Sequence, residues 1–276
     1  MKRMRSALRC LEEDHTYPSN MFQSIGDILE LLVDQNWESF RCNVLSSREI
    51  FRHLSSAIAS CSQLNGMTLL HAIVKYDPPL EIVARMIEFC PDMPASTDCL
   101  RRTPLHVAAG SRASASLIEL LAHAHPAACD AQDEEAKTPL HFACDSSCVL
   151  FEDDFHESGN NPRQPPNHEA VAVLLSYSVH AVTLEDDEDM TPLEHAIQSN
   201  ASMETVKLLQ DETRQATKVL STYQLRQPQL NEGIQSFISA TKSMQIPAYD
   251  GEFMSSPLGS NKPTRRLKEF LKTTHK

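Results

Sequence analysis

Apolar residues along the chain fall into short stripes at helical spacing, and the stripes recur. Val83-x-x-Met86-Ile87, Leu117-x-x-Leu120-Leu121, Val171-x-x-Leu174-Leu175 and Thr205-x-x-Leu208-Leu209 each set one face of a helix. A shorter group precedes each stripe and opens on threonine: Thr68-Leu69-Leu70-His71, Thr103-Pro104-Leu105-His106, Thr138-Pro139-Leu140-His141 and Thr191-Pro192-Leu193-Glu194. Each tetrapeptide predicts a helix start. The Thr hydroxyl accepts from orphan N–H groups of the first turn, and proline gives up an N–H that has no partner there. Leucine then opens the apolar face. The first three tetrapeptides stand 35 residues apart, and the fourth follows 53 residues after the third. The expectation is four units in phase, each of two helices.

Upstream, Ile25, Ile28, Leu29 and Leu32 predict a short helix. Trp37, Phe40, Ile50 and Leu54 stand 33 residues before Leu70, Ile73, Val83 and Ile87. Residues 36–66 therefore read as a divergent first repeat that caps an otherwise open apolar end, with Trp37 as a core anchor. The units that follow span 67–100, 101–135, a third that breaks phase, and 190–223. The break is an insertion of about 18 residues between Asp145 and Asn167, placed between two helices, where a loop grows without unstacking its neighbours. The second helix of the last unit is expected to run on through Leu208, Leu209, Val219 and Leu220. The domain division is then a mobile stretch 1–20, a helical cap with the divergent repeat 21–66, repeats over 67–227 with the insertion at 146–167, and a mostly disordered tail 228–276 with a basic end. In that tail Ile234, Phe237 and Ile238 form one amphipathic stretch, and Leu267, Phe270 and Leu271 share a helix face.

The period and the Thr-Pro-Leu-His motif resemble the ankyrin repeat, a turn plus two antiparallel helices of about 33 residues. The resemblance implies an all-α solenoid of stacked helix-turn-helix units with hairpin-like fingers, four recognisable repeats and an N-terminal cap. It implies that fingers and first helices form a concave partner surface, with finger tips at 98–102, 133–137 and 186–190. The candidate partner-binding residues are Arg101, Arg102, Asp133, Glu134, Glu135, Lys137, Glu185, Asp186, Asp187 and Glu188. These tips run from basic to strongly acidic along the array, which suits a basic or mixed-charge protein segment. His71, His106 and His141 are expected to bridge to backbone of the adjacent turn. The family prefers glycine two residues before the motif threonine, where the turn visits positive φ. Gly66 keeps it, whereas Arg101, Ala136 and Asp189 replace it. Ile73 stands where the family takes alanine, which predicts an irregular neighbour, and Gly110 reads as a left-handed stop for its helix.

Charge changes the picture at one place. The net charge is −12, yet six Lys/Arg against Glu269 give residues 262–276 a net +5 and leave −17 on the rest. An acidic body repels phosphate, so nucleic acid is not an expected partner of the solenoid; the basic end could serve anionic surfaces. The eight cysteines are scattered and read as reduced thiols, with Cys144 filling a small-residue position. His141-x-x-Cys144-x-x-x-Cys148, with Asp153 and His156, offers zinc-type ligands, but no second Cys-x-x-Cys exists and the repeat already explains the helix. No metal and no cofactor are expected.

The insertion alternates acidic residues with Leu150, Phe151 and Phe155, and three large apolar side chains favour folding back on the solenoid over an exposed binding motif. No enzyme signature is present, and seven glycines leave little for phosphate-cradling loops. No apolar run approaches the roughly 20 residues that span a bilayer. The expected function is non-enzymatic protein binding, as scaffold or adaptor, in the cytoplasm, with the nucleus as the alternative. No small-molecule substrate is expected. A regulatory inhibitor of a catalytic partner, or a factor recruited to chromatin or membrane through the basic tail, are the alternatives.

Overall fold

The structure is a computed structural model that describes residues 19–60, 64–148, 150 and 165–219. The chain divides into two compact units, Met1–Gln224 and Leu225–Lys276, and the described residues belong to the first. The N-terminal stretch to residue 18, the middle of the insertion and the tail with its basic end lie outside them. Every regular element among the described residues is a helix, with no strand.

Three helices open the chain: α1 (Ser19–Val33), α2 (Trp37–Val44) and α3 (Arg48–Ser60). Then helices alternate between two rows. The first row holds α4 (Leu69–Val74), α6 (Pro104–Gly110), α8 (Pro139–Cys144) and α10 (Pro192–Gln198). The second continues from α3 through α5 (Leu80–Phe89), α7 (Ala115–Ala124) and α9 (His168–Tyr177). Each helix packs on its predecessor in the same row, as α6 does on α4 and α9 on α7. A last helix, α11, covers 203–219. It runs through Leu208 and Leu209 to Val219, which is exposed, and Leu220 lies outside the described residues.

The first-row helices are only six or seven residues long, too short to be stable alone. Their ends are fixed by the motif. Thr68, Thr103 and Thr138 adopt extended backbone and cap the first turn. The motif histidine closes the box from the other side: its Nδ1 accepts from the threonine N–H, at 3.2 Å for His71, 3.0 Å for His106 and 3.1 Å for His141. An accepting Nδ1 leaves the proton on Nε2, which donates across to the next finger. His71 reaches Arg102 O at 2.9 Å, His106 reaches Ala131 O at 3.1 Å and Lys137 O at 3.2 Å, and His141 reaches Met190 O at 3.2 Å. The expected bridges are there. Burial pushes all three imidazoles down, His106 and His141 to about 4, which keeps them neutral in these roles.

Two expectations are corrected. Ile50 was paired with Val83 as a core position, yet it is 44% exposed, and Phe51 and Ile58 carry the core instead. The Phe51 ring meets Phe89 of the following repeat at 5.6 Å, so the cap's second helix sits one residue off the repeat phase. Trp37 packs half-buried against the same core. Gly110 is the other correction. It lies inside α6, and the positive φ of that turn falls on Arg112, at 60°. The absence of a side chain at Gly110 serves packing, since a Cβ there would come within 2.9 Å of Leu150 Cδ2 and 3.0 Å of Phe142 Cδ1.

Candidate partner interface

The fingers are built three times over on one plan. Asp98, Asp133 and Asp186 each stand five residues before a motif threonine. Each buries its carboxylate and accepts through Oδ1 from two backbone N–H groups of its own turn. Asp98 takes Leu100 and Arg102, Asp133 takes Glu135 and Lys137, and Asp186 takes Glu188 and Met190, all at 2.9–3.0 Å. The hairpin closes with the Asp N–H donating to the carbonyl of Arg102, Lys137 or Met190, at 3.0 Å each. Positive φ then falls on Arg101 (60°), Ala136 (59°) and Asp189 (59°), the positions that replace glycine. Gly66 has φ 76° at the matching place.

Successive fingers are joined by one backbone bond each. Cys99 N donates to Asn65 O, Glu134 N to Leu100 O and Asp187 N to Glu135 O, at 2.9–3.0 Å. The result is a continuous edge with fixed spacing, on which the outward side chains have a defined order.

The ten candidate residues part into two groups on this frame. Arg101, Glu134, Glu135, Glu185, Asp187 and Glu188 are exposed, and Lys137 is half-buried with its Nζ on Glu135 at 2.9 Å. Arg102, Asp133 and Asp186 are turned inward, which corrects their placement at the partner surface. Arg102 forms a buried ion pair with Asp98 at 2.7 Å, and Asp133 serves its own turn. Asp186 also accepts from His195 Nε2 at 2.7 Å. The two acidic caps then differ in basicity. Burial pushes the Asp133 carboxyl up, beyond what its two N–H donors offset. At Asp186 burial acts the same way, but the His195 bond and the backbone donors outweigh it and hold the carboxyl below the usual range.

Sequence reading missed Asp98 and His195. A signal for Asp98 existed: aspartate recurs at the same offset before three threonines. His195 had none, because it occupies the position held by Val107 and Phe142 in the preceding repeats.

The first helices expected to join the fingers in the partner surface differ among themselves: every residue from Leu69 to Val74, Pro104 to Ala109 and Pro139 to Cys144 is buried, whereas in α10 Glu194, Ile197 and Gln198 are exposed. Cys144 is among the buried residues, and burial raises its thiol far out of the reactive range; Cys148 is pushed up to about 12. Among the described residues no group of His, Cys, Asp and Glu is arranged to hold a metal ion. Asp153 and His156 lie outside those residues. No helix among them is long and apolar enough to cross a membrane.

The family described as ankyrin repeats (many copies) matches residues 86–143, from within α5 to the end of α8. That stretch is built of ankyrin repeats. No curated protein matches the chain. Ankyrin repeats mediate protein–protein interaction, and the matched stretch holds two of the motif histidines together with the Asp98 and Asp133 fingers. The ankyrin frame accounts for the short first helices, the positive φ in each finger and the histidine bridges.

Proposed function

We propose that this ankyrin array is a non-enzymatic scaffold or adaptor that recognises a basic or mixed-charge protein segment along its finger edge. The observation that carries this reading is the finger edge itself. Carboxylates of Glu134, Glu135, Glu185, Asp187 and Glu188 project from turns already rigidified by Asp133 and Asp186, so little ordering entropy remains to be lost on binding. Arg101 stands at the start of that edge and supplies the opposite sign. Charges so exposed act mainly on encounter rate and partner choice. A cytoplasmic setting, with the nucleus as alternative, fits such a role.

The test is a quantitative affinity pulldown from native lysate. Wild type is compared with a variant in which Glu134, Glu135 and Glu185 become Gln, Glu188 becomes Gln and Asp187 becomes Asn. Asp133 and Asp186 are left intact because they hold the turns. A protein captured by wild type, released by moderate salt and lost from the variant supports the finger reading. Equal capture by both, with matched circular dichroism, overturns it.

A further inference from the structure

No further repeat follows repeat four among the described residues, and its burial pattern shows what a follower would cover. Counted from the motif threonine, the residues at steps two, three and six are buried in the first three repeats. They are Leu70, His71 and Val74, then Leu105, His106 and Ala109, then Leu140, His141 and Cys144. The first helix of the next repeat packs on each of these helices. In repeat four the same steps hold Leu193, half-buried, Glu194, exposed, and Ile197, 54% exposed. The second helix opens on the same side. Val83, Ile118 and Val171, each the fourth residue of its helix, are fully buried, whereas Val206 of α11 is only half-buried. His168, which begins α9, has its Nδ1 3.3 Å from Thr205 Oγ1 of repeat four; Met203, which begins α11, is 80% exposed. The other end of the array is closed, with Leu29, Leu32, Phe40 and Phe51 of α1–α3 fully buried. Terminal repeats of a soluble solenoid carry a polar outer face, and Ile197 and Met203 depart from that rule.

We infer that this open end face of repeat four docks a helix of another protein whose apolar stripe is flanked by lysine or arginine. The helical form follows from the chain's own precedent, since α6, α8 and α10 each pack on the first helix of the repeat before. The charge follows from Glu194. His71, His106 and His141 send a donor onward from this step, to a carbonyl of the next finger. A carboxylate only accepts, so the neighbour of Glu194 has to bring the donor or the cation. The finger beside it makes the same demand. Asn65, Leu100 and Glu135 each accept through O from the following finger, whereas the carbonyl of Glu188, at the same step, meets no donor among the described residues. A second copy does not meet this demand. Face-to-face pairing sets Glu194 against Glu194, and head-to-tail pairing meets the end closed by α1–α3. The inference extends the protein-binding reading of the array to a second surface and does not need the finger carboxylates.

The probe is a fluorescent synthetic helix with one leucine stripe and lysine on both sides of it, titrated by anisotropy against the full chain. Wild type is expected to bind it about tenfold or more tighter than a variant carrying both Ile197→Ser and Met203→Ser, a change that leaves the net charge untouched. The same helix with glutamate for lysine should bind at least tenfold more weakly, and Glu194→Gln should narrow that preference. No binding to wild type, equal binding to the double variant, or no preference for lysine overturns the proposal. Oxidation of Met203 by dilute peroxide, read by mass spectrometry, tests the face without mutation, with buried Met86 as internal reference. Met203 should oxidise far faster than Met86 in the free chain and be protected by the lysine helix. Protection in the free chain that persists on dilution means that another segment of this chain covers the face, and protection lost on dilution means a second copy. Either result overturns the proposal. In the finger variant the double substitution should still cost about tenfold, so failure of the acidic edge and failure of this face are separate results.

Discussion

Three of the four motif repeats close their tetrapeptide with histidine, and the fourth closes it with glutamate. The difference follows from what stands beyond each. His71, His106 and His141 cap their own helix with one nitrogen and reach the next finger with the other. Glu194 caps only: its Oε2 accepts from Thr191 N at 2.7 Å and from Thr191 Oγ at 2.8 Å. No Thr-Pro-Leu motif follows repeat four, and among the described residues no further finger offers an equivalent carbonyl. A carboxylate, which only accepts, suffices, and those two bonds hold it below its usual range. Histidine at this position couples repeats; glutamate only caps the start of its own helix.

The sharpest way to break this comparison is to remove each cap. His106→Ala leaves the Thr103 N–H and the Ala131 carbonyl short of a partner in a buried place, takes one of two donors from the Lys137 carbonyl, and opens a void beside Phe142, whose ring meets His106 edge-on at 5.5 Å. A loss of about 3 kcal/mol is expected in urea unfolding. Glu194→Ala sits at an exposed end with water at hand and should cost several-fold less. Similar losses for the two would mean that the bridge to the next finger contributes little.

Acid tests the same difference without mutation. An unfolded histidine titrates near 6.5, whereas buried His106 and His141 are held at about 4. Between those values the unfolded chain binds protons that the folded one refuses, so stability is full above pH 6.5 and falls as pH drops through the window. The melting temperature should fall by about 5 °C or more between pH 7 and pH 5.5. His106→Gln should flatten that slope. An unchanged slope would place the acid sensitivity elsewhere.

The repeat frame was legible because its chemistry is local. A threonine, a proline and a histidine at fixed offsets specify a cap, a first turn and a bridge, and the structure uses each of them so. Positive φ at Arg101, Ala136 and Asp189 was readable for the same reason. What sequence could not settle is the direction of side chains on a turn. Arg102 and Arg101 are neighbours of one type, yet one is buried on Asp98 and the other exposed. Long-range packing was equally hidden. Nothing in the spacing of Gly110 announces a residue 40 positions later that needs the room, and a glycine near a helix end reads as a stop. The cap's second helix fails for a milder reason: with no motif to set its phase, Ile50 and Phe51 are equal candidates until Phe89 selects one.

The smallest expected effect separates the fingers from one another. Ala136 and Asp189 share a φ of 59°, at the same step of the second and third of the three aspartate-capped fingers. Alanine in that region brings its Cβ too close to the backbone, at a cost of roughly 1 kcal/mol, while aspartate tolerates it better. Glycine removes that cost but adds conformational freedom to the unfolded chain, which offsets part of the gain. Ala136→Gly should therefore stabilise the fold by less than about 1 kcal/mol, and Asp189→Gly should be near neutral or slightly destabilising. Gln132 constrains the comparison, since its Nε2 donates to Ala136 O at 2.8 Å and fixes that turn from outside. If Ala136→Gly lowered the melting temperature, this bond and the bonds to Asp133, not the backbone preference of residue 136, would set the shape of the finger.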